Sequence, residues 1–286
     1  MTFTNFRRPS SSNGTLLVFL AIFVICLIFF VRTIQQRNPT LIKIEETNNC
    51  LEKLLSSTGP ETKYDKLPDS VDICTANFFN SLPILFLGTP KIEIKYFLRP
   101  INPYDNCDIL TLGIGKEIYA ELDLRRSMPQ CNFVGVDPDL KSNGDFLEVL
   151  HGKLIEGAVG AKDGVYDASI LDPKTGKYNS KQLSHISFEK VLKMGKLRQL
   201  IDLVLMDVEY AEYEIFDVIA ENTNLTTFCQ FNVEVHGEKP NLNQQYLKII
   251  KNAGFLLLKN DGGGFHKQFW VNVKNPLCLK KYFGIE

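Results

Sequence analysis

From Asp108 onward, two patterns of apolar positions alternate. Short, mostly apolar runs bounded by Gly, Pro or Asp are separated by longer segments in which apolar residues recur at helical spacing. The runs predict strands at Ile109–Leu112, Phe133–Val136, Ile155–Val159, Leu203–Met206, Cys229–Val235, Phe255–Lys259 and Phe269–Val273. The segments between them predict helices at Glu117–Arg126, Ser187–Met194, Tyr210–Glu221 and Gln244–Asn252. Such alternation builds βαβ units, which give a mostly parallel sheet. The last two strands differ, because only Asn260-Asp-Gly-Gly-Gly-Phe-His266 joins them. Parallel neighbours need a crossover of roughly a dozen residues or more, so this pair is predicted to form an antiparallel hairpin. The expected fold class is therefore α/β, a Rossmann-like, mostly parallel sheet with an antiparallel C-terminal hairpin.

Upstream, the pattern changes. Residues 69–107 hold Pro83, Pro90, Pro100 and Pro103 among short apolar runs such as Ile84-Leu-Phe-Leu87, which predicts an irregular extension of the main domain. Residues 32–68 are polar and read as a stem, with room for one short helix around Cys50–Leu55. Before them, Leu16–Val31 is an uncharged apolar run flanked by Arg7, Arg8 and Arg32. As a helix it would rise roughly 24 Å at about 1.5 Å per residue, enough for a thin early-secretory bilayer. Signal cleavage favours small residues just past such a core, whereas Phe29, Phe30, Val31 and Arg32 stand there. The run is predicted to be an uncleaved transmembrane signal anchor, with a cleaved signal as the alternative. The expected organisation is a cytoplasmic tail (1–15), anchor (16–31), stem (32–68), extension (69–107) and main domain (108–286). Long remainders translocate largely regardless of charge, which favours a type II orientation with the domain in the lumen of the endoplasmic reticulum or Golgi.

Composition narrows the classes. With 44% hydrophobic and 23% charged residues the chain has the makings of a folded core. Its 32 basic and 33 acidic residues nearly cancel, and no basic run stands out, so nucleic acid is not an expected partner. Beyond Cys26 in the apolar run, Cys50, Cys74, Cys107, Cys131, Cys229 and Cys278 form an even set suited to disulfides in an oxidising lumen, with pairing left open. No Cys-x-x-Cys pair occurs, and no metal site is predicted. Asn224-Leu-Thr226 is a glycosylation sequon on the expected luminal side.

The residues that could carry chemistry sit where predicted strands end. Leu112-Gly-Ile-Gly115 closes the first strand, and its glycines allow a ligand to approach the backbone while a helix amino terminus faces it, although a tight turn alone would also use them. Asp137 follows the second strand, where such sheets hold a ribose; a turn-forming Asp-Pro is the plainer alternative. Asp207 and Glu209 follow the fourth strand, and the fifth delivers Glu234 and His236 to the same edge. Glu212 and Glu214 lie in the next helix, where acids near the amino terminus contribute ~0.3–1 kcal/mol and need no further role. The candidate catalytic residues are thus Asp207, Glu209 and His236, and the candidate cofactor-binding residues Gly113, Gly115, Asp137 and Asp207.

Residues 108–273 resemble the FkbM-type methyltransferases, particularly a membrane-anchored nematode-like branch. The resemblance is carried by Thr111-Leu-Gly-Ile-Gly115, Val136-Asp-Pro138, Gly157-Ala-Val-Gly160, Ser187-Phe-Glu189 and above all Asp207-Val-Glu-Tyr-Ala-Glu212, close to the family's Asp-x-Glu-Gly-x-Glu; Phe231-Asn-Val-Glu-Val-His236 is similar to that branch. It implies a class I methyltransferase fold, S-adenosylmethionine as cofactor, and O-methyl transfer to a glycan or other luminal hydroxyl. Asp207 or His236 would be the base, and Glu209 an orienting group. The chain departs from the pattern at Tyr210, where the family has Gly, at Thr111, where it has an acid, and at Glu117, where it has a third Gly. Those departures motivate a second reading, a noncatalytic luminal binding protein on the same fold.

Overall fold

The strands expected after Asp108 lie side by side in one sheet. The computed structural model describes residues 22–26, 38–57, 66–90, 93–115, 117–141, 143–171, 178–195, 198, 200–221, 225, 227–262 and 265–286. The expected tail, most of the expected anchor and the sequon's Asn224 and Thr226 fall outside them. Among the described residues no helix is long and apolar enough to cross a membrane.

In chain order the strands are β1 (Ile84–Thr89), β2 (Glu93–Leu98), β3 (Asp108–Leu112), β4 (Asn132–Asp137), β5 (Lys153–Glu156), β6 (Ala158–Gly160), β7 (Gly164–Leu171), β8 (Tyr178–Ser187), β9 (Leu203–Met206), β10 (Gln230–Val235), β11 (Phe255–Asp261) and β12 (His266–Asn272). Seven of them form the main sheet in the order β11-β12-β10-β9-β3-β4-β5. The pairs from β10 through β5 are parallel, and β12 runs antiparallel to both β10 and β11, which is the predicted hairpin. Every residue of β3 and β9 is buried, as expected of central parallel strands covered on both faces. Leu112 pairs with Met206, so the glycine turn and Asp207 leave the sheet side by side. Lys43–Glu286 fold as one unit.

Three expectations need correction. The predicted strand Ile155–Val159 is two strands that part at Gly157, where φ is +155° and an added Cβ would lie 2.7 Å from the Ile186 side chain. Lys153–Glu156 extends the main sheet, while Ala158–Gly160 joins a second sheet, β6-β8-β7, whose β7/β8 hairpin was not predicted. Residues 69–107 are not irregular. They carry most of a helix, Leu67–Phe79, and the hairpin of β1 and β2. Pro68 lies in that helix's first turn, where its missing N–H costs nothing, and Leu67, Val71, Thr75 and Phe78 line its buried face. The stem is likewise more ordered than expected, since Pro39–Ser57 is one helix that buries Ile44, Leu51 and Leu55.

All six cysteines of this unit are paired, as Cys50–Cys74, Cys107–Cys131 and Cys229–Cys278. The β1/β2 hairpin is held on β10 by two side-chain amides. Asn232 accepts from Tyr96 N and donates to Tyr96 O, and Gln230 does the same with Leu98.

Candidate functional site

The glycine turn is built against its neighbour strand. Gly113 has φ +73°, donates its N–H to Val136 O (2.9 Å), and an added Cβ would come within 1.8 Å of the Asp207 carbonyl oxygen. Its lack of a side chain is therefore required by Asp207, not only by a ligand. Gly115 has φ +63° with open space around its Cβ position. Asp137 is 7% exposed, and its two carboxylate oxygens accept the backbone N–H groups of Ile114 (2.8 Å) and Asp139 (2.7 Å), so this acid also holds the turn in shape. Gly113, Gly115, Asp137, Asp207 and Glu209 all line one cavity of about 870 Å³ at the carboxyl ends of the strands. Tyr166 of β7 and His185 of β8 contribute to its wall, and sequence reading missed both.

Behind Asp207 and Glu209 stands His236, only 4% exposed and not part of the cavity lining. Its Nε2 lies 3.5 Å from Asp207 Oδ1, 3.6 Å from Glu209 Oε2 and 3.9 Å from Glu234 Oε1. On the other side of the ring, Nδ1 is 3.3 Å from Oε1 of Glu212. Glu212 is fully buried, and the same oxygen accepts the backbone N–H of His236 at 2.7 Å. Glu212 is thus no mere helix-end acid, as the sequence suggested, but a partner of the imidazole. Burial pushes the Asp207 carboxyl up to about 6, opposed by Lys95 and His236. Burial lowers the His236 imidazole, but Glu212 first and then Asp207 and Glu209 outweigh it and raise it to about 9. The chain reaches this arrangement through two consecutive non-glycine residues in the left-handed region, Glu209 (φ +49°) and Tyr210 (φ +76°), a conformation that L residues adopt only when their surroundings hold them there.

The structure therefore brings all six sequence-derived candidates to one edge, five of them on the cavity and His236 behind it. The family model described as the methyltransferase FkbM domain matches residues 75–257, well over half of the chain and all of these residues. The chain belongs to the FkbM methyltransferase family. As an FkbM methyltransferase it uses S-adenosylmethionine. No curated protein matches it. Among solved structures it is similar to fibrillarin of Aeropyrum pernix in complex with natively bound S-adenosyl-L-methionine, at 14% identity over 59% of this chain and 68% of that one, with a TM-score of 0.36. It is also similar to precorrin-6y C5,15-methyltransferase of Geobacter metallireducens, at 10% identity over 59% of this chain and 80% of that one, with a TM-score of 0.33.

The cavity fits the cofactor of an FkbM methyltransferase. After its two backbone bonds, the Asp137 carboxylate keeps acceptor capacity for ribose hydroxyls, since an ionised carboxylate offers about four lone-pair sites. Two departures from the FkbM pattern also find a place. Tyr210 is 52% exposed with its ring 5.5 Å from that of His236, and the cavity beside it stays open. Thr111, where the pattern has an acid, donates its hydroxyl to the buried Glu121 carboxylate at 2.8 Å.

Proposed function

We propose that this FkbM methyltransferase transfers its methyl group to a hydroxyl oxygen of a glycan or another acceptor within the secretory pathway. The observation that carries the reading is the convergence of Gly113, Gly115, Asp137, Asp207 and Glu209 on one cavity at the carboxyl ends of the strands, where open α/β sheets hold their ligands. Bound S-adenosylmethionine supplies an electrophilic methyl group on a sulfonium sulfur. Asp137 and the glycine turn hold the nucleoside end. Asp207 faces the cavity and takes up the acceptor's proton, while Glu209 beside it orients the hydroxyl; His236, almost wholly buried, reaches neither and serves to fix the two acids. Holding an acceptor in line supplies much of the rate, and a positioned base adds on the order of 10²–10⁴-fold.

The compartment is supported by three disulfides, which persist in oxidising environments, and by the apolar run Leu16–Val31, read as a type II anchor of the endoplasmic reticulum or Golgi. The similarity of Phe231-Asn-Val-Glu-Val-His236 to the membrane-anchored branch points the same way. Glycosylation at Asn224 follows from that topology, and a glycosidase-sensitive mass shift lost on Asn224→Gln is the expected result. The noncatalytic reading is weakened by the cavity that Tyr210 leaves open. Calorimetry of the full chain with S-adenosylmethionine separates the two readings: micromolar binding is expected, and none at millimolar cofactor would favour the inactive scaffold.

A further inference from the structure

The hydrogen-bond accounts of the His236 corner do not close. Glu234 has Lys267 at 3.3 Å, and Glu212 receives the His236 backbone N–H. Asp207 Oδ1 and Glu212 Oε2, however, are buried with no hydrogen-bond partner among the described residues, and His236 Nδ1 has only the longer 3.3 Å approach to Glu212 Oε1. The Nε2 of His236 stands 3.5 Å and 3.6 Å from Asp207 and Glu209, beyond the 2.7–3.2 Å range of ordinary N–H···O bonds. Orphaned buried polar atoms are costly, and so point to a missing partner.

The spacing says what partner would fit. One ligand atom each from Asp207, Glu209 and His236 lies within 4.8 Å of the other two. A cation bonded at about 2.0–2.2 Å holds neighbouring ligands roughly 3–4 Å apart, so small side-chain rotations close these three atoms around a common centre. Glu212, on the Nδ1 side of the ring, plays the part of the carboxylate that commonly orients a metal-bound imidazole and leaves Nε2 facing the ion. We propose that Asp207, Glu209 and His236 bind one divalent cation of the Mn²⁺ or Zn²⁺ class, the ions suited to a mixed carboxylate and imidazole set. Because Asp207 and Glu209 line the cavity, the remaining coordination positions face it. An acceptor with a hydroxyl beside a second oxygen, such as a vicinal diol, would chelate there. The cation would then make that hydroxyl more acidic, so that its proton passes to water in the open cavity as the oxygen takes the methyl group, and Asp207 would act as its ligand instead of as a free base. This use of the ion rests on the methyltransferase reading above; its binding does not.

The test is titration of chelator-treated full chain with Mn²⁺, with free Mn²⁺ followed by its paramagnetic resonance signal and Zn²⁺ added as competitor. One saturable equivalent per chain is expected. Glu209→Gln and His236→Gln should each weaken it about tenfold or more, with circular dichroism and melting temperature showing that the fold is kept. Glu209→Gln, at the cavity surface, gives a reading even if the buried histidine variant fails to fold. Absence of saturable uptake of either ion, or uptake unchanged in a folded Glu209→Gln, overturns the site. Calorimetry with S-adenosylmethionine on the same samples keeps the two ideas apart. Cofactor binding without metal uptake overturns the cation alone; metal uptake without cofactor binding supports the cation and overturns the methyltransferase reading.

Discussion

The two ends of the same central strands are built to different rules. At the amino ends, Cys107 precedes β3, Cys131 precedes β4 and Cys229 precedes β10, and all three are in disulfides. Asp202, which precedes β9, is 2% exposed and fully engaged: Oδ2 accepts the Asp108 N–H at 2.9 Å, and Oδ1 accepts from Lys281 Nζ at 2.5 Å and from the Tyr282 hydroxyl. At the carboxyl ends lie the glycine turn, Asp137, Asp207 and His236, with Asp207 Oδ1 enclosed and without a hydrogen-bond partner among the described residues, beside two left-handed residues. Asp202 and Asp207 flank one strand of four residues, yet one has spent its bonding capacity on the fold and the other has kept it. A buried acid with every bond made is evidence of structure; a part-exposed acid at a cavity, with its inner oxygen left without a hydrogen bond, is evidence of a ligand.

The sharpest way to break this comparison is to remove each aspartate in turn. Asp202→Ala leaves Lys281 as an unpaired, poorly exposed charge and should cost about 3–5 kcal/mol, lowering the melting temperature by on the order of 10 °C. Asp207→Asn should leave the melting temperature within a few degrees of the parent while methyl transfer is lost; an equal loss of stability would make the two ends alike. Next in size, replacing Cys229 and Cys278 by Ser opens a loop closed across 49 positions and should cost about 2–4 kcal/mol, read as a lower urea midpoint. Asp137→Asn removes the charge and turns one of its two acceptor oxygens into a donor, so it also gives up one of the backbone bonds from Ile114 and Asp139, and it should weaken S-adenosylmethionine binding by about 1.5–3 kcal/mol in calorimetry. Full alanine truncation there would be harder to interpret, because the carboxylate also secures Ile114 and Asp139. The smallest effect is expected at Tyr210→Gly, which relieves a left-handed tyrosine and should stabilise by about 1 kcal/mol or less, a rise of a few degrees in thermal melting.

Legibility in the sequence followed the same division. The main sheet could be read because its strands are short apolar runs with glycine or aspartate at their ends, and the seven-residue stretch Asn260–His266 fixed the antiparallel hairpin. Helix Leu67–Phe79 was missed although its buried positions recur at helical spacing, because the surrounding prolines suggested irregularity when Pro68 in fact marks a helix start. The β7/β8 hairpin was missed for a different reason. Tyr178–Ser187 is mostly polar and offers no alternation, so Tyr166 and His185 gave no local sign of facing a cavity. The placement of Asp207, Glu209 and His236 followed from strand order alone. The importance of Glu212 did not, since its hydrogen bond spans 24 positions and depends on how β9 and β10 align.

The contact between Gly113 and the Asp207 carbonyl has an evolutionary consequence. With an added Cβ only 1.8 Å from that oxygen, position 113 has no tolerance for drift, since even alanine would force apart the turn proposed to hold the nucleoside and the segment proposed to meet the acceptor. The two halves of the site are thus mechanically interlocked, and a lineage cannot remodel one through this position without disturbing the other. Divergence in acceptor choice is left to the outer rim, where Tyr210 is half exposed, so this is the position at which related chains should vary first.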